Sequence, residues 1–328
     1  MGRREFVVLL GGAASFISWP LAMNAQSSLP VIGWISMRPR ARAGATLGFV
    51  DGLRDAGLIE NRDFTIDHRS ADEQYDRLPG LAAELVQRRV SLLAVPGAMA
   101  LAAAARDATS TIPILFMIGS DPVELGLVKS FSRPGVNLTG VAYFNVEVAA
   151  KRLELLHKLV PAAKSIALLV QRGNPLETLV QVRNAEAAAK LLGMRLRVFE
   201  VSSPSDLDAA FAALAQEKID LVHIGVDGLF GNNRARLIGL AARHRVPTSY
   251  PWRDFTAEGG LMNYGADIRE QFQQAGSLAA RILRGEKPAD MPVRRPTKLA
   301  FVLNLKTARS LGIEVSPDLL TLADDVIE

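Results

Sequence analysis

From Val31 to Tyr250 the chain switches repeatedly between short apolar runs and longer stretches whose apolar residues recur three and four apart. A short apolar run bounded by turn formers reads as a buried strand, and a 3.6-residue period reads as a helix with one face in a core. Regular alternation of the two is the signature of an α/β fold, a parallel sheet with helices on both faces. In the first cycle the pattern predicts strands at Val31–Ser36, Phe64–His68, Ser91–Val95 and Ile112–Ile118, with helices at Ala41–Gly57, Leu78–Arg89 and Ala98–Ala108. A loop rich in turn residues, 130–139, precedes a strand at Gly140–Phe144 and a helix at Val146–Leu159. The cycle restarts after Pro161, with strands at Ile166–Val170, Arg195–Val201, Leu221–Val226 and Pro247–Tyr250 and helices at Leu176–Leu192, Ser205–Glu217 and Asn232–His244. Ser205 is the expected N-cap of its helix. Two α/β units of roughly 110–120 residues each have the usual size of a domain.

The remainder is too sparse for a third unit. A strand at Gly260–Tyr264, a helix at Ile268–Leu283, a Pro-rich connection over 286–298, a strand at Leu299–Leu305 and a short helix at Lys306–Leu311 would core poorly alone. They are expected to return and complete the two units. The division is then an N-terminal lobe of 26–144 and a C-terminal lobe of 145–264, each joined by part of 265–328.

The first 25 residues read as a secretory signal. Arg3-Arg4 heads a stretch from Phe6 to Ala22 without a charge, and a small residue closes it at Ala25. The Arg-Arg-Glu-Phe opening resembles a twin-arginine signal. Gly11-Gly12 and Pro20 interrupt a segment already short for a membrane span. The expected location is therefore the periplasm, after cleavage near Ala25.

Composition narrows the chemistry. The chain has no Cys, which removes disulfides, Cys-ligated zinc, iron–sulfur clusters and thiol nucleophiles. None of the four His falls in a His-x-x-x-His pair, so no metal site is expected. The formal charge of +4 comes from scattered residues, so no nucleic-acid partner is expected. Phosphate-binding glycine loops, a nucleophile elbow and a zincin motif are all missing, which argues against an enzyme and predicts no cofactor. His223 sits in an apolar run and reads as a core histidine.

In open α/β sheets, ligands bind beyond the carboxyl ends of the strands. The segments there carry Ser36, Arg38, Gly97, Ala98, Ser120, Asp121, Asn174, Asp227, Tyr250 and Trp252, the candidate ligand-binding residues. Ser36 and the Pro96-Gly97-Ala98 turn suit a carboxylate, because free amides at a helix start carry partial positive charge. Asp121 and Asp227 could hold an ammonium group or cap a turn. Arg38 could pair a carboxylate or belong to an exposed charge run with Arg40 and Arg42. Tyr250 and Trp252 could stack on a ligand or simply pack. Asn174 and Asn263 stand where polar recognition or hinge geometry is plausible.

Several of these segments are familiar. Ser120-Asp121-Pro122-Val123-Glu124-Leu125-Gly126-Leu127-Val128 and Ser132-Arg133-Pro134-Gly135-Val136-Asn137-Leu138-Thr139-Gly140-Val141 resemble the central block of the ABC transporter substrate-binding protein family that includes tryptophan-binding lipoprotein-like members. The ending is similar too, in Pro296-Thr297-Lys298, Asn304-Leu305-Lys306-Thr307-Ala308, Leu311-Gly312-Ile313 and Ala323-Asp324-Asp325-Val326-Ile327-Glu328. The resemblance implies two Rossmann-like lobes with parallel sheets, the type I periplasmic binding protein fold, a hinge of crossing strands, and a ligand trapped on closure. It implies a small polar organic solute, an amino acid or related carboxylate, captured without chemistry and passed to the membrane permease of an ABC importer by a monomeric receptor. The chain departs from the lipoprotein members in lacking a Cys for an anchor, and its Met37-Arg38-Pro39-Arg40 segment is unusually basic. Two other readings of the same architecture are a periplasmic sensor for a signalling receptor and an enzyme. The enzyme would need a titratable pair such as Asp121 with His223 or Asp227.

Overall fold

The computed structural model describes residues 29–37 and 44–328. The leader read over residues 1–25, and Arg38, lie outside the described residues. Five strands make the N-terminal sheet: β1 (Val31–Ser36), β2 (Thr65–Ser70), β3 (Leu92–Gly97), β4 (Ile114–Ile118) and β5 (Leu138–Ala142), all parallel in the order β2-β1-β3-β4-β5. Helices α1 (Gly44–Asp55), α2 (Leu78–Gln87) and α3 (Met99–Ala108) connect the first four. The inner strands are apolar throughout, as strands covered on both faces must be, and β4 (ILFMI) is buried at every position. The edge strand β2 (TIDHRS) is half-buried along its length and accordingly polar.

The C-terminal lobe repeats that plan. Strands β6 (Ser165–Gln171), β7 (Arg195–Val201), β8 (Leu221–Ile224), β9 (Thr248–Tyr250) and β10 (Met262–Gly265) run parallel in the order β7-β6-β8-β9-β10, with α5 (Pro175–Leu191), α6 (Pro204–Gln216), α7 (Gly228–Asn232), α8 (Arg234–Arg243) and α9 (Arg253–Ala257) between them. Two further strands extend this sheet: β11 (Ala300–Asn304), antiparallel to β10, and β12 (Asp325–Ile327), parallel to β11. Between these two strands come α11 (Leu305–Leu311) and α12 (Pro317–Leu322). The N-cap of α6 is Ser203 and not Ser205: Asp206 turns back to accept from the Ser202 and Ser203 amides, which fixes the start two residues earlier. The helix expected at Asn232–His244 is α8, and a short helix not expected, α7, precedes it; Asn233 separates the two, leaving helical geometry at φ −111° and ψ 28°.

The chain crosses between lobes three times. After β5 it passes to α4 (Ala149–Leu159), whose Leu153, Leu156 and Leu159 pack in the C-terminal core. After β10 it returns as α10 (Ile268–Leu283), whose Phe272, Ala275 and Leu278 join Trp34 and Phe49 in the N-terminal core. The segment 291–299 then crosses back to β11. Helices α10 and α1 meet through glycines: a Cβ on Gly52 would lie 2.0 Å from the Gln273 carbonyl oxygen, and one on Gly276 would lie 2.1 Å from that of Phe49.

The crossings are fastened to one another. Arg152 of α4 is fully buried and donates to the Tyr264 carbonyl at 2.9 Å and the Asn145 carbonyl at 3.0 Å, tying the first crossing to the second. Burial without a carboxylate partner lowers this guanidinium to about 9. Asn145 donates to the Pro251 carbonyl at 3.2 Å. Phe144, expected at the end of a strand, instead turns with φ +55° and stacks on Phe131, while the Arg295 guanidinium of the third crossing sits 3.6 Å from the Phe131 ring centroid. The third crossing also pairs with β5, through an isolated bridge from Val141 to Arg294.

Candidate functional site

In both sheets the strand order reverses beside the first strand of the lobe, so crevices open at the carboxyl ends of β1/β3 and β6/β8. The structure brings those ends together. A Cβ on Gly119, just past β4, would sit 3.1 Å from the Val226 side chain, just past β8. The two lobes are closed on each other.

Five side chains meet across the junction. Tyr75 lies in a 3-10 turn (Tyr75–Arg77) after β2 and is carried there by a loop with positive φ at Asp72 and Glu73. Its ring covers Gly173, where a Cβ would meet it at 2.8 Å, and its hydroxyl donates to Asp227 Oδ2 at 2.7 Å. Ser120 Oγ donates to Glu177 Oε1 at 3.4 Å. Asn174 Nδ2 donates to Glu177 Oε2 at 2.6 Å and lies 3.4 Å from Asp227 Oδ2. Asp227 Oδ1 accepts from the Leu229 amide at 2.8 Å and so caps α7. Glu177, Asp227 and Asn174 are 2%, 5% and 1% exposed.

Asn174 and Glu177 stand at the N-cap and third position of α5, the spacing of a capping box, yet neither side chain caps the helix. Both turn into the junction. Asn174 Oδ1 is buried with no hydrogen-bond partner. Among the described residues neither carboxyl group has an ion pair. Burial, with Asp227 adding its charge, pushes Glu177 up to about 8. Burial likewise pushes Asp227 up, against the hydrogen bonds from Tyr75, the Leu229 amide and Asn174. The Tyr75 hydroxyl is pushed up as well, by burial and by Asp227, so it stays a donor. Buried acidic groups without a cation are costly to ionise, so the arrangement favours an added positive charge.

The polar groups divide by lobe. From the N-terminal side come donors: the Tyr75 and Ser120 hydroxyls and the Met99 amide at the start of α3, which favours the charged form of the Glu177 carboxyl. From the C-terminal side come acceptors: Glu177, Asp227 and Asn174 Oδ1. Gly97 ends β3 at φ +101°, and no described residue lies within 4 Å of where its Cβ would be. Ala98 follows as the N-cap of α3, a helix start with no side-chain cap.

Of the candidates, Ser120, Asn174 and Asp227 join this cluster, and Gly97 and Ala98 frame it. Ser36 closes β1 and bonds to His68 at 3.1 Å. Asp121 is a turn cap: its carboxylate accepts from the Val123 and Glu124 amides at 2.7 and 3.2 Å. Tyr250 points into the C-terminal core, 1% exposed and stacked on Phe255 at 4.7 Å, because alternation along β9 turns it toward that side. Trp252 packs at 6.0 Å from Phe255 and covers Gly231. Neither aromatic touches the cluster through a recorded bond. Asn263 accepts from Thr256 inside the lobe. His223 is bonded to Ser249 within the sheet, and burial lowers it well below its ordinary value. It therefore makes no pair with Asp121 or Asp227. Tyr75, Met99 and Glu177 escaped sequence reasoning. Tyr75 also follows a strand end, where the loop rule could have found it, but Glu177 is hidden inside a regular helical pattern.

Comparison with known proteins agrees with this architecture. The family model described as ABC transporter substrate binding protein matches residues 35–327. A tyrosine-binding protein of Clostridioides difficile is 27% identical over 274 residues, covering 82% of this chain and 77% of that protein. Among solved structures, an ABC domain from Streptococcus pneumonia in complex with L-Trp has a TM-score of 0.80 at 25% identity, covering 92% of this chain and all of that one. A conserved domain protein from Vibrio cholerae matches with the same TM-score and identity over 91% of this chain and 99% of that one. The two lobes thus have the type I periplasmic binding protein fold. With a match that spans nearly all of its described length, this chain belongs to the ABC transporter substrate binding protein family.

Proposed function

We propose that this protein captures a zwitterionic amino acid, of the aromatic class, between its lobes and delivers it unchanged to the membrane permease of an ABC importer. The observation that carries the reading is the division of polar groups: donors on the N-terminal side, acceptors on the C-terminal side. An α-amino acid presents a carboxylate and an ammonium a few ångströms apart and would bridge the two. Its carboxylate faces Ser120 and the start of α3, and its ammonium faces Asp227, Glu177 and Asn174 Oδ1. The aromatic class is supported by the relatives, one a tyrosine-binding protein and one in complex with L-Trp. Binding without turnover is supported by the family model, which describes substrate binding proteins. The leader supports export, and a monomer diffusing in the periplasm fits the lack of an anchoring Cys. Recovery of the mature chain in the periplasmic fraction is the expected outcome for export; retention in the cytoplasm contradicts it.

A ligand that prefers the closed form biases the open–closed equilibrium by that difference in affinity. The reading is tested by thermal denaturation with each of the common amino acids. L-tyrosine or L-tryptophan should raise the midpoint in a concentration-dependent way. No response to any amino acid would overturn it.

A further inference from the structure

The donors of the N-terminal lobe are already engaged in the structure. Tyr75 bonds to Asp227, while Ser120 and the start of α3 face the Glu177 carboxyl, supplied by the opposite lobe. Its Oε1 faces Ser120 Oγ at 3.4 Å, the Met99 amide at the start of α3 favours its charged form, and its Oε2 takes the 2.6 Å bond from Asn174. A glutamate at the third position of a helix ordinarily folds back onto the cap amide. Glu177 instead reaches across the junction, and Asn174 Oδ1, buried beside it, has no donor. A carboxyl group held by a helix start and a serine hydroxyl, next to an unanswered acceptor, has the arrangement one half of a bound amino acid would have.

We propose that Glu177 is a built-in stand-in for the solute carboxylate: in the closed protein its side chain lies at the donors that the anionic group of the solute takes. The inference rests on the zwitterionic reading above. On entry the solute carboxylate displaces the Glu177 side chain from Ser120 and α3, and Glu177 remains on the acceptor side with Asp227. A solute that carries an anionic group must displace this tethered carboxyl to reach the donors. A solute without an anionic group leaves Glu177 where it is.

The test uses the protein with Glu177→Ala and propionate as the probe. Removing the side chain opens the donor site to a free carboxylate. The melting midpoint of Glu177→Ala should rise by about 3 °C at roughly ten times a millimolar dissociation constant. The wild type should not respond, and chloride at equal ionic strength should move neither. Glu177→Ser, which keeps a polar group at this buried position, is the second variant and should respond like alanine. If both substitutions fold and neither answers to propionate, or if the wild type answers equally, the proposal is wrong. If both fail to fold, Glu177 is needed for folding itself and the displaceable stand-in is likewise overturned. The probe requires no amino acid. A protein that ignores every amino acid but shows the propionate response loses the zwitterionic reading alone, whereas one that binds L-tyrosine without that response loses this inference alone.

Discussion

The two lobes share one strand order and differ in what stands at the strand ends. Gly97, Ala98 and Ser120 end or follow the N-terminal strands, and Asn174, Glu177 and Asp227 follow the C-terminal ones. Small residues let a helix start and a hydroxyl approach closely, so in the proposed reading the first lobe offers hydroxyls and a helix start. The second offers buried acidic and amide side chains. Duplicated topology therefore supplies two equivalent crevices, and the residues at equivalent places make one side donate and the other accept. The same contrast lets the two lobes bond directly to each other in the closed form, as Tyr75 does to Asp227.

The largest expected effect breaks the acceptor side. Asp227→Ala should weaken amino acid binding by roughly 100-fold or more in calorimetry, the scale for removing a buried charged partner. A loss below about threefold would move the ammonium site elsewhere. The lobes also differ in their helix glycines. Gly276→Ala forces a Cβ against the Phe49 carbonyl and should destabilise by about 1–3 kcal/mol in urea melts, as overpacking does. Gly239→Ala in α8 meets nothing within 4 Å and should stabilise by about 0.5–1 kcal/mol, as helix propensity predicts. Equal responses would mean that the α1–α10 contact is looser than its glycines indicate.

Closure should depend on pH in a direction set by Glu177. Its carboxyl is pushed from an ordinary 4.5 up to about 8 in the closed protein, so closure retains a proton that the open, solvated group gives up. The closed empty form is fully favoured below about pH 4.5 and loses that advantage as pH rises toward 8. Asp227, Tyr75, Tyr143 and Asn174 face the same group, and none supplies a cation to reverse the sign. Small-angle scattering of the ligand-free protein should show a larger radius at pH 8.5 than at pH 5; a smaller one contradicts the assignment. The smallest effect belongs to the exposed pair of Arg183 with Glu124, 2.7 Å apart across the lobes. Arg183→Ala should shift binding by less than about 1 kcal/mol, as surface pairs do.

Architecture was legible because a doubly covered strand has to be apolar, and β1, β3, β4 and β6 obey that rule without exception at their centres. Helix α10 was placed to the residue, with its stop near Gly285; the structure adds its cap, Asp267, whose carboxylate accepts from the Arg269 and Glu270 amides. The short elements α9, α12 and β12 were not, since five or six residues carry too little period to show in a pattern. At the site, rules about strand ends found Ser120, Asn174 and Asp227. They could not separate Asp227, which faces the opposite lobe, from Asp121, whose carboxylate bonds only its own turn, because both follow a strand in the same way. Tyr75 and Glu177 contribute through three-dimensional reach across more than fifty residues of sequence, and local pattern carries no record of that.

Calorimetry on the unmodified protein with L-tyrosine, tyramine and N-acetyl-L-tyrosine tests most directly the division into a donating and an accepting lobe. Removing the ammonium by acetylation should abolish measurable binding, and removing the carboxylate should weaken it less, because Glu177 can stay at the donors in its stead. N-acetyl-L-tyrosine binding as tightly as L-tyrosine would contradict the account.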